Sequence, residues 1–346
     1  MQFIIAILIF SIIIIFHELG HFSMAKACGV RVNEFTLGLG PTLFGFTKGE
    51  TTYCLKLLPF GGSCVMEGED GESSDERAFN NKKLWQKFLI VFAGPFFNFL
   101  LAFLLSVIMI GCAGYYKPVA KEVKQGSPAA QAGLQNGDEI VKINGYGVHF
   151  YNEITIYTFF HKGKDLNITY LRDGKKHQTK VTPTYDKASK RYLLGIYGNT
   201  AREKANAITS LKYGFYEIKY QIYVVFMSLR ELVLGHVGIN EMSGPVGIVK
   251  TIGDTYTQSV PSGIFYVVMN MLSISILLTS NLGVMNLLPF PALDGGRILI
   301  FIIEGLTRRK IPERVEGAIN MVGFVILMGL MVLIMGNDIR KLFIAS

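Results

Sequence analysis

Four long apolar runs dominate the chain and predict membrane-length helices. The first, FIIAILIFSIIIIF at positions 3–16, carries no charge and leads straight into His17-Glu18-Leu19-Gly20-His21. Such a run is short for a full crossing, so the helix is expected to continue through the polar pentad and hold it within the membrane. The second run, 88–113, is interrupted by Gly94-Pro95 and Asn98; the third covers 264–288 and the fourth 318–335. A weaker stretch, 218–237, contains Arg230 and Glu231. It predicts an amphipathic helix docked at the interface rather than a span.

Residues 114–200 break this pattern. Short alternating segments, KPVAKEV, DEIVKING, DLNITYLRDGKK and HQTKVTPTY, are bounded by Gly, Asn or Asp. They predict turns and an antiparallel β-rich domain. Ser127 is placed to cap a short Ala-rich helix and Gly133 to close it. The chain thus reads as a membrane part at 1–113, a β-rich insert at 114–200, a linker with an amphipathic helix at 201–262, and a second membrane part at 263–346.

Composition narrows the class. Hydrophobic residues make up 50% of the chain and charged ones only 17%, against about a quarter in soluble domains. That excludes a disordered chain, a coiled coil and an ordinary cytosolic enzyme. The net charge is 34 − 26 = +8; with this apolar excess it points to a membrane surface and not to nucleic acid. Four Cys without a C-x-x-C pair exclude a disulfide scaffold and a cysteine zinc site. Arg297, Arg308, Arg309, Lys310 and Arg314 lie between the third and fourth runs, which makes that loop cytoplasmic. With four spans, the 22–87 loop is then cytoplasmic as well, and the insert lies outside.

The pentad is the sharpest chemical signal. Positions i and i+4 share a helix face, so both imidazoles can reach one ion. Glu18 stands beside them, able to take a proton from metal-bound water. Zinc suits imidazole, and a catalytic zinc keeps three protein ligands and an open position. Ionisable groups inside an apolar helix are costly and functional by default. The third ligand is a Glu, His or Asp from elsewhere. Asp294 is the only acidic residue between Asp254 and Glu304, and the inferred topology puts it at the same end of its span as His21. The alternative is that Asp294 caps a helix starting near Gly295. His149, His161, His177 and His236 show no ligand spacing with the pentad.

Two resemblances follow. Ser127-Pro128-Ala129, Ala132-Gly133-Leu134, Gly137-Asp138, Ile140 and Ile143-Asn144-Gly145 resemble the bacterial PDZ signature. This implies a domain able to bind an extended chain at a sheet edge; otherwise it spaces or occludes. The pentad, Gly94-Pro95 with Asn98, NLLPFPALDGG at 286–296, GLGP at 38–41 and SGPVGI at 243–248 are similar to the site-2 protease family of intramembrane zinc metalloproteases. The similarity is to its bacterial regulator-of-sigma-E branch, here with room for one PDZ domain. It implies a polytopic α-helical membrane protein of about four transmembrane helices, with an inserted β-rich PDZ domain and a cytoplasmic-side β-hairpin loop. It implies Zn2+ held by His17, His21 and Asp294, with Glu18 as general base and then proton donor. Asn286 would hold the substrate backbone or the oxyanion, and Asn98 is given the same role; helix packing is the alternative for both. The implied location is a prokaryotic plasma or inner membrane, with the PDZ domain on the outer face. The implied substrates are single-span proteins already shortened outside, such as anti-sigma factors, or signal-peptide remnants.

A transmembrane helix hides its peptide bonds in its own hydrogen bonds, so cleavage requires unwinding. Residues 51–66 read as one or two strands around a Pro59-Phe60-Gly61-Gly62 turn. An exposed edge there could pair with an unwound substrate, which makes Pro59, Gly61 and Gly62 candidate contacts. The resemblance implies a hairpin near the active site; the alternative is a packed hairpin without substrate contact. The acidic stretch 67–76 reads as a mobile, solvated loop. A metal transporter and an inactive peptide-binding scaffold are the rival readings. The first lacks internal repeats, and the second has no need of an intact HELGH with Asp294.

Overall fold

A computed structural model of the chain describes residues 2–69, 71, 73–198, 201–238 and 241–344. In chain order the elements are α1 (Gln2–Ala27), β1 (Val32–Lys48), β2 (Thr51–Met66), α2 (Leu84–Ala113), β3 (Ala120–Val123), α3 (Pro128–Gln131), β4 (Glu139–Ile143), β5 (Tyr146–Gly147) and α4 (Tyr151–Phe160). There follow β6 (Leu166–Arg172), β7 (Lys175–Val181), β8 (Thr184–Asp186), β9 (Arg191–Leu193), β10 (Ile196–Gly198), α5 (Ala207–Val233), α6 (Pro245–Ser259), α7 (Ile264–Asn286), α8 (Asp294–Thr307) and α9 (Glu313–Ile344). They form two compact units, Met1–Leu105 with Ser228–Ser346, and Ser106–Met227.

Four helices, α1, α2, α7 and α9, are long and apolar enough to cross a membrane. As the pattern predicts, α5 is not among them, and α1 runs through the pentad without a break. On α9, Val322, Phe324 and Val325 are each more than half exposed. Water penalises such a surface; lipid does not. Within the first unit, Ala6, Ile9 and Ile13 of α1 pack with Leu101 of α2 and Ile252 of α6. A second cluster joins Ala25, Cys64, Met66, Ile90, Val91, Ile300 and Phe301, and so ties the end of α1 to β2, α2 and α8. The buried Asp338 of α9 accepts from the backbone N–H groups of Gly244 and Gly247, at 2.9 and 2.8 Å. A carboxylate there satisfies donors at the start of α6 that have no partner within the helix.

The expected hairpin is larger than the sequence suggests. Residues 32–37 pair with 62–66 on one side and 52–55 on the other, and 51–56 pair with 42–48. The result is a mixed four-row sheet from two long strands: its two outer pairings are antiparallel, while the central rows, 34–37 and 52–55, run parallel. β1 folds back at Gly38 and Gly40, whose φ values of 93° and 90° suit glycine. The outer edge of residues 62–66 pairs with no described strand. In the acidic stretch after it, expected as a solvated loop, Asp70 and Glu72 lie outside the described residues, and three of the described acids are paired. Glu67 accepts from Asn33 and Ser73, Glu69 pairs with Arg297, and Asp75 lies 3.7 Å from Arg31. Asn33, Arg297 and Arg31 come from other segments, and a charge run does not reveal such partners.

The second unit contains the β-rich insert. β5, β4, β6 and β7 form one sheet in that order, β3 pairs with β10, and β8 with β9. Its core includes Ile140, Ile143, Leu166 and Ile168, all fully buried. Ser127 accepts from Ala130 N at 3.3 Å as the N-cap of α3, and Gly133 takes φ 82° after it. The stretch expected as a linker with an amphipathic helix, 201–262, carries the helix α5 and, after it, α6. Most of α5 clusters with the insert because Tyr213 stacks on Tyr115 at 3.8 Å and Tyr216 on His149 at 3.5 Å between centroids.

Candidate metal centre

His17 and His21 lie one turn apart on α1, both buried, with their Nε2 atoms 3.1 Å apart. Asp294 is the first residue of α8, and Leu293 holds the N-cap position. The carboxylate therefore does not cap the helix. Its Oδ2 lies 3.3 Å from His17 Nε2 and 3.5 Å from His21 Nε2. Among the described residues these three form the one His/Cys/Asp/Glu group whose donor atoms, all within 4.8 Å of one another, could hold an ion. None of the other four histidines belongs to this group.

The donor set fits zinc. A tetrahedral ion at about 2.0–2.1 Å from each ligand spaces the ligands about 3.3 Å apart, and the three observed edges straddle that value. Asp294 Oδ2 is buried without a hydrogen-bond partner, an arrangement that a cation would relieve. Burial opposes charge on this carboxyl, but the two imidazoles outweigh it and hold Asp294 well below the usual carboxylate range.

The imidazoles are held from behind. His21 Nδ1 lies 2.9 Å from the carbonyl oxygen of Ile90, so it donates there and leaves Nε2 for a metal. The Asn98 carboxamide lies 3.1 Å from His17 Nδ1. Its oxygen is buried without a partner; half a turn of the amide lets that oxygen accept Nδ1–H. Asn98 is fully buried, and its backbone carbonyl accepts from Thr279 at 3.1 Å. The amide is thus placed against His17 and is not among the residues lining the cavity beside the imidazoles. Asn286, at the end of α7, has its amide 3.5 Å from His17 Nε2, beside the ligand cluster.

Gly94 is a residue that motif reading used only as a marker. A Cβ there would lie 2.2 Å from His21 Nε2 and 2.8 Å from His17 Cε1. The ligand pair sits directly against the α2 backbone, and only glycine leaves it room.

His17, Glu18, His21 and Asp294 line a cavity of about 300 Å³, with residues 62–66, Glu69 and Arg297 on its walls. Glu18 is partly exposed to it. Gly62 packs directly on α1, since a Cβ there would meet Ile14 at 2.9 Å and Glu18 at 3.0 Å. Gly61 does not share that position. It turns towards the exposed Leu39 of β1, because successive residues of a strand face opposite sides. Pro59 lies on β2, but its side chain is outside the described ones. Of the expected turn contacts that are described, Gly62 is found on the cavity wall and Gly61 is not.

Residues 5–330 match the peptidase family M50. A putative zinc metalloprotease of Clostridium acetobutylicum is 37% identical over 336 residues, which is 97% of this chain and 96% of that one. The regulator of sigma-W protease RasP of Bacillus subtilis is 28% identical over 421 aligned residues, 98% of each chain. Among solved structures, the PDZ domain of an SdrC-like protein from Listeria monocytogenes aligns with 25% of this chain and 87% of its own, at 30% identity and a TM-score of 0.21. On the strength of a match over almost its whole length, the chain belongs to peptidase family M50.

Proposed function

We propose that this protein is an intramembrane zinc endopeptidase. It hydrolyses a peptide bond within or beside the transmembrane segment of a single-span protein already shortened on the outside. The observation that carries the reading is the convergence of two imidazoles and one carboxylate at 3.1–3.5 Å, with Glu18 on the same cavity. His17, His21 and Asp294 would hold the zinc. When bound, it supplies Lewis-acid polarisation of the scissile carbonyl and lowers the pKa of water. Glu18 takes a proton from the attacking water and returns it to the leaving amine. Asn286 donates to the developing oxyanion. The free edge of residues 62–66 pairs with the unwound substrate and fixes its backbone beside the ligands. Anti-sigma factors and signal-peptide remnants are the substrate classes this reading favours; the B. subtilis relative's name, a regulator of sigma-W protease, accords with the first. The test is purified protein in lipid vesicles with a tagged single-span substrate. Product is expected, abolished by a chelator and restored by Zn2+; product formed equally in the presence of chelator would reject the zinc reading.

The insert then lies on the outer face of a prokaryotic cell membrane. This is supported by the four basic residues between α7 and α9, with Arg314 in the first turn of α9, which favour the cytoplasm. Its role in this reading is to exclude bulky substrates, not to bind peptide. Lys124 N bonds to Gly195 O at 2.9 Å, and bonded pairs alternate along an antiparallel ladder. The carbonyl of Ile196 therefore points off the other edge of β10, where an added strand would bond. Tyr151 already occupies it, with its hydroxyl donating at 2.7 Å and its ring packed on Gly198. A Tyr151→Ala variant should keep size selection. An untrimmed substrate stays whole and a trimmed one is cut within about twofold of the wild-type rate, as for a change away from the chemistry. Cleavage of the untrimmed substrate by this variant would show that the edge does the selecting.

A further inference from the structure

Glu69 and Arg297 take no part in the chemistry above, yet they join the two parts of the site that must stay in register. Arg297 lies on α8, three residues after the ligand Asp294. Glu69 lies three residues after Met66, the last residue of the free-edged row. One Glu69 carboxylate oxygen pairs with the Arg297 guanidinium. The other lies 3.3 Å from the backbone N–H of Met66. A single carboxylate thus grips the end of the pairing strand and, 228 residues away in sequence, the helix that carries a metal ligand. The side chains are 17% and 25% exposed, so water screens the pair less than it would a surface pair. Both residues line the metal-centre cavity and also a neighbouring cavity of about 300 Å³, so the pair forms the wall between the two.

We propose that the Glu69–Arg297 pair is a latch holding the free edge of residues 62–66 at a fixed distance from Asp294, and that both are positioning residues for peptide-bond cleavage. The proposal rests on the peptidase reading and on substrate pairing at that edge. Its physical content is that a bound chain is presented by the strand while the ion is presented by α1 and α8. An offset of about 1 Å between the two can cost about 100-fold in rate.

The test uses full-length protein in vesicles and has two readouts. In Arg297→Ala and Glu69→Ala, cleavage of the single-span substrate should fall about 10- to 100-fold, mainly in kcat, with zinc content unchanged. The exchange Glu69→Arg with Arg297→Glu should recover most of the loss. The second readout does not need activity. Cys64 is buried on the same row. With the other three cysteines replaced by serine, its alkylation should speed up about tenfold in each single variant, because the row opens more often. It should slow again in the exchange variant. Unchanged alkylation and unchanged cleavage in the single variants would overturn the latch, and so would loss of zinc in them, which would make the pair a support of the metal centre. A wild type that cleaves nothing while Cys64 still follows the pattern would overturn the peptidase reading and leave the latch standing.

Discussion

A Glu18→Gln variant should keep its zinc and lose cleavage by about 10²–10⁴-fold, the range for removing a general acid–base. The amide nearly matches the carboxylate in size, so it leaves α1 and the two imidazoles where they are. What it loses is the ability to accept a proton from water and hand it to the leaving amine. Glu18 sits one residue from His17 and lines the same cavity as all three ligand side chains. The strand packs directly on it, with Gly62 against its Cγ, and of the described carboxylates lining the cavity, Glu18, Glu69 and Asp294, it is the one carried by α1 itself. The measurement pairs metal analysis with product formation from a tagged single-span substrate. Zinc present and cleavage near the wild-type rate would remove Glu18 from the mechanism and leave the metal centre intact.

Replacing Gly94 by alanine should be comparably damaging by a different route. The added methyl would occupy the space of His21 Nε2, at 2.2 Å, and press on His17 Cε1, at 2.8 Å. No rotamer relieves this, because the Cβ position is set by the α2 backbone. The neighbouring Ile90 and Val91 are buried in the same cluster, so the helix is not free to retreat. The imidazoles must turn away, and His21 then loses its bond to the Ile90 carbonyl. Loss of such an orienting partner alone typically costs 10–100-fold in metal affinity; displacement of the ligand itself should cost at least about as much. The expected result is a folded protein, helical by circular dichroism, with little zinc and no detectable cleavage. Full zinc occupancy in Gly94→Ala would show that the helices separate easily here and that the close approach is not required.

Much of the site is legible without coordinates because it is local. The spacing of His17 and His21 is a property of one helix, and Glu18 follows from its place between them. Asp294 is also legible, since the intervening acidic residues are so few that little else at that depth could complete the set. Asn98 stands out in the sequence as a polar amide in an apolar helix, but its contact with His17 does not. A sequence does not say whether a side chain points at a cavity or at the back of a ligand. Gly94 offered a weak signal, a small residue beside a proline in a span, yet its contact with the imidazoles depends on how α1 and α2 pack. The four-row sheet was only half visible because β1, with GLGP in the middle, breaks the alternation that marks a strand.

What the sequence by itself determined is whatever repeats with a short period. It set the four spans through their apolar length, the β-rich insert through its turns, and the imidazole pair through the helical repeat of 3.6 residues. The tertiary structure alone decided which distant groups meet. It brought Asp294 to the imidazoles, put Asn98 behind His17, laid the open row of residues 62–66 along the cavity, and closed Glu69 on Arg297. The reason is physical. Periodicity is written into backbone geometry, whereas contacts across hundreds of residues are selected by packing and by the cost of burying charge without a partner, and neither acts until the helices have come together.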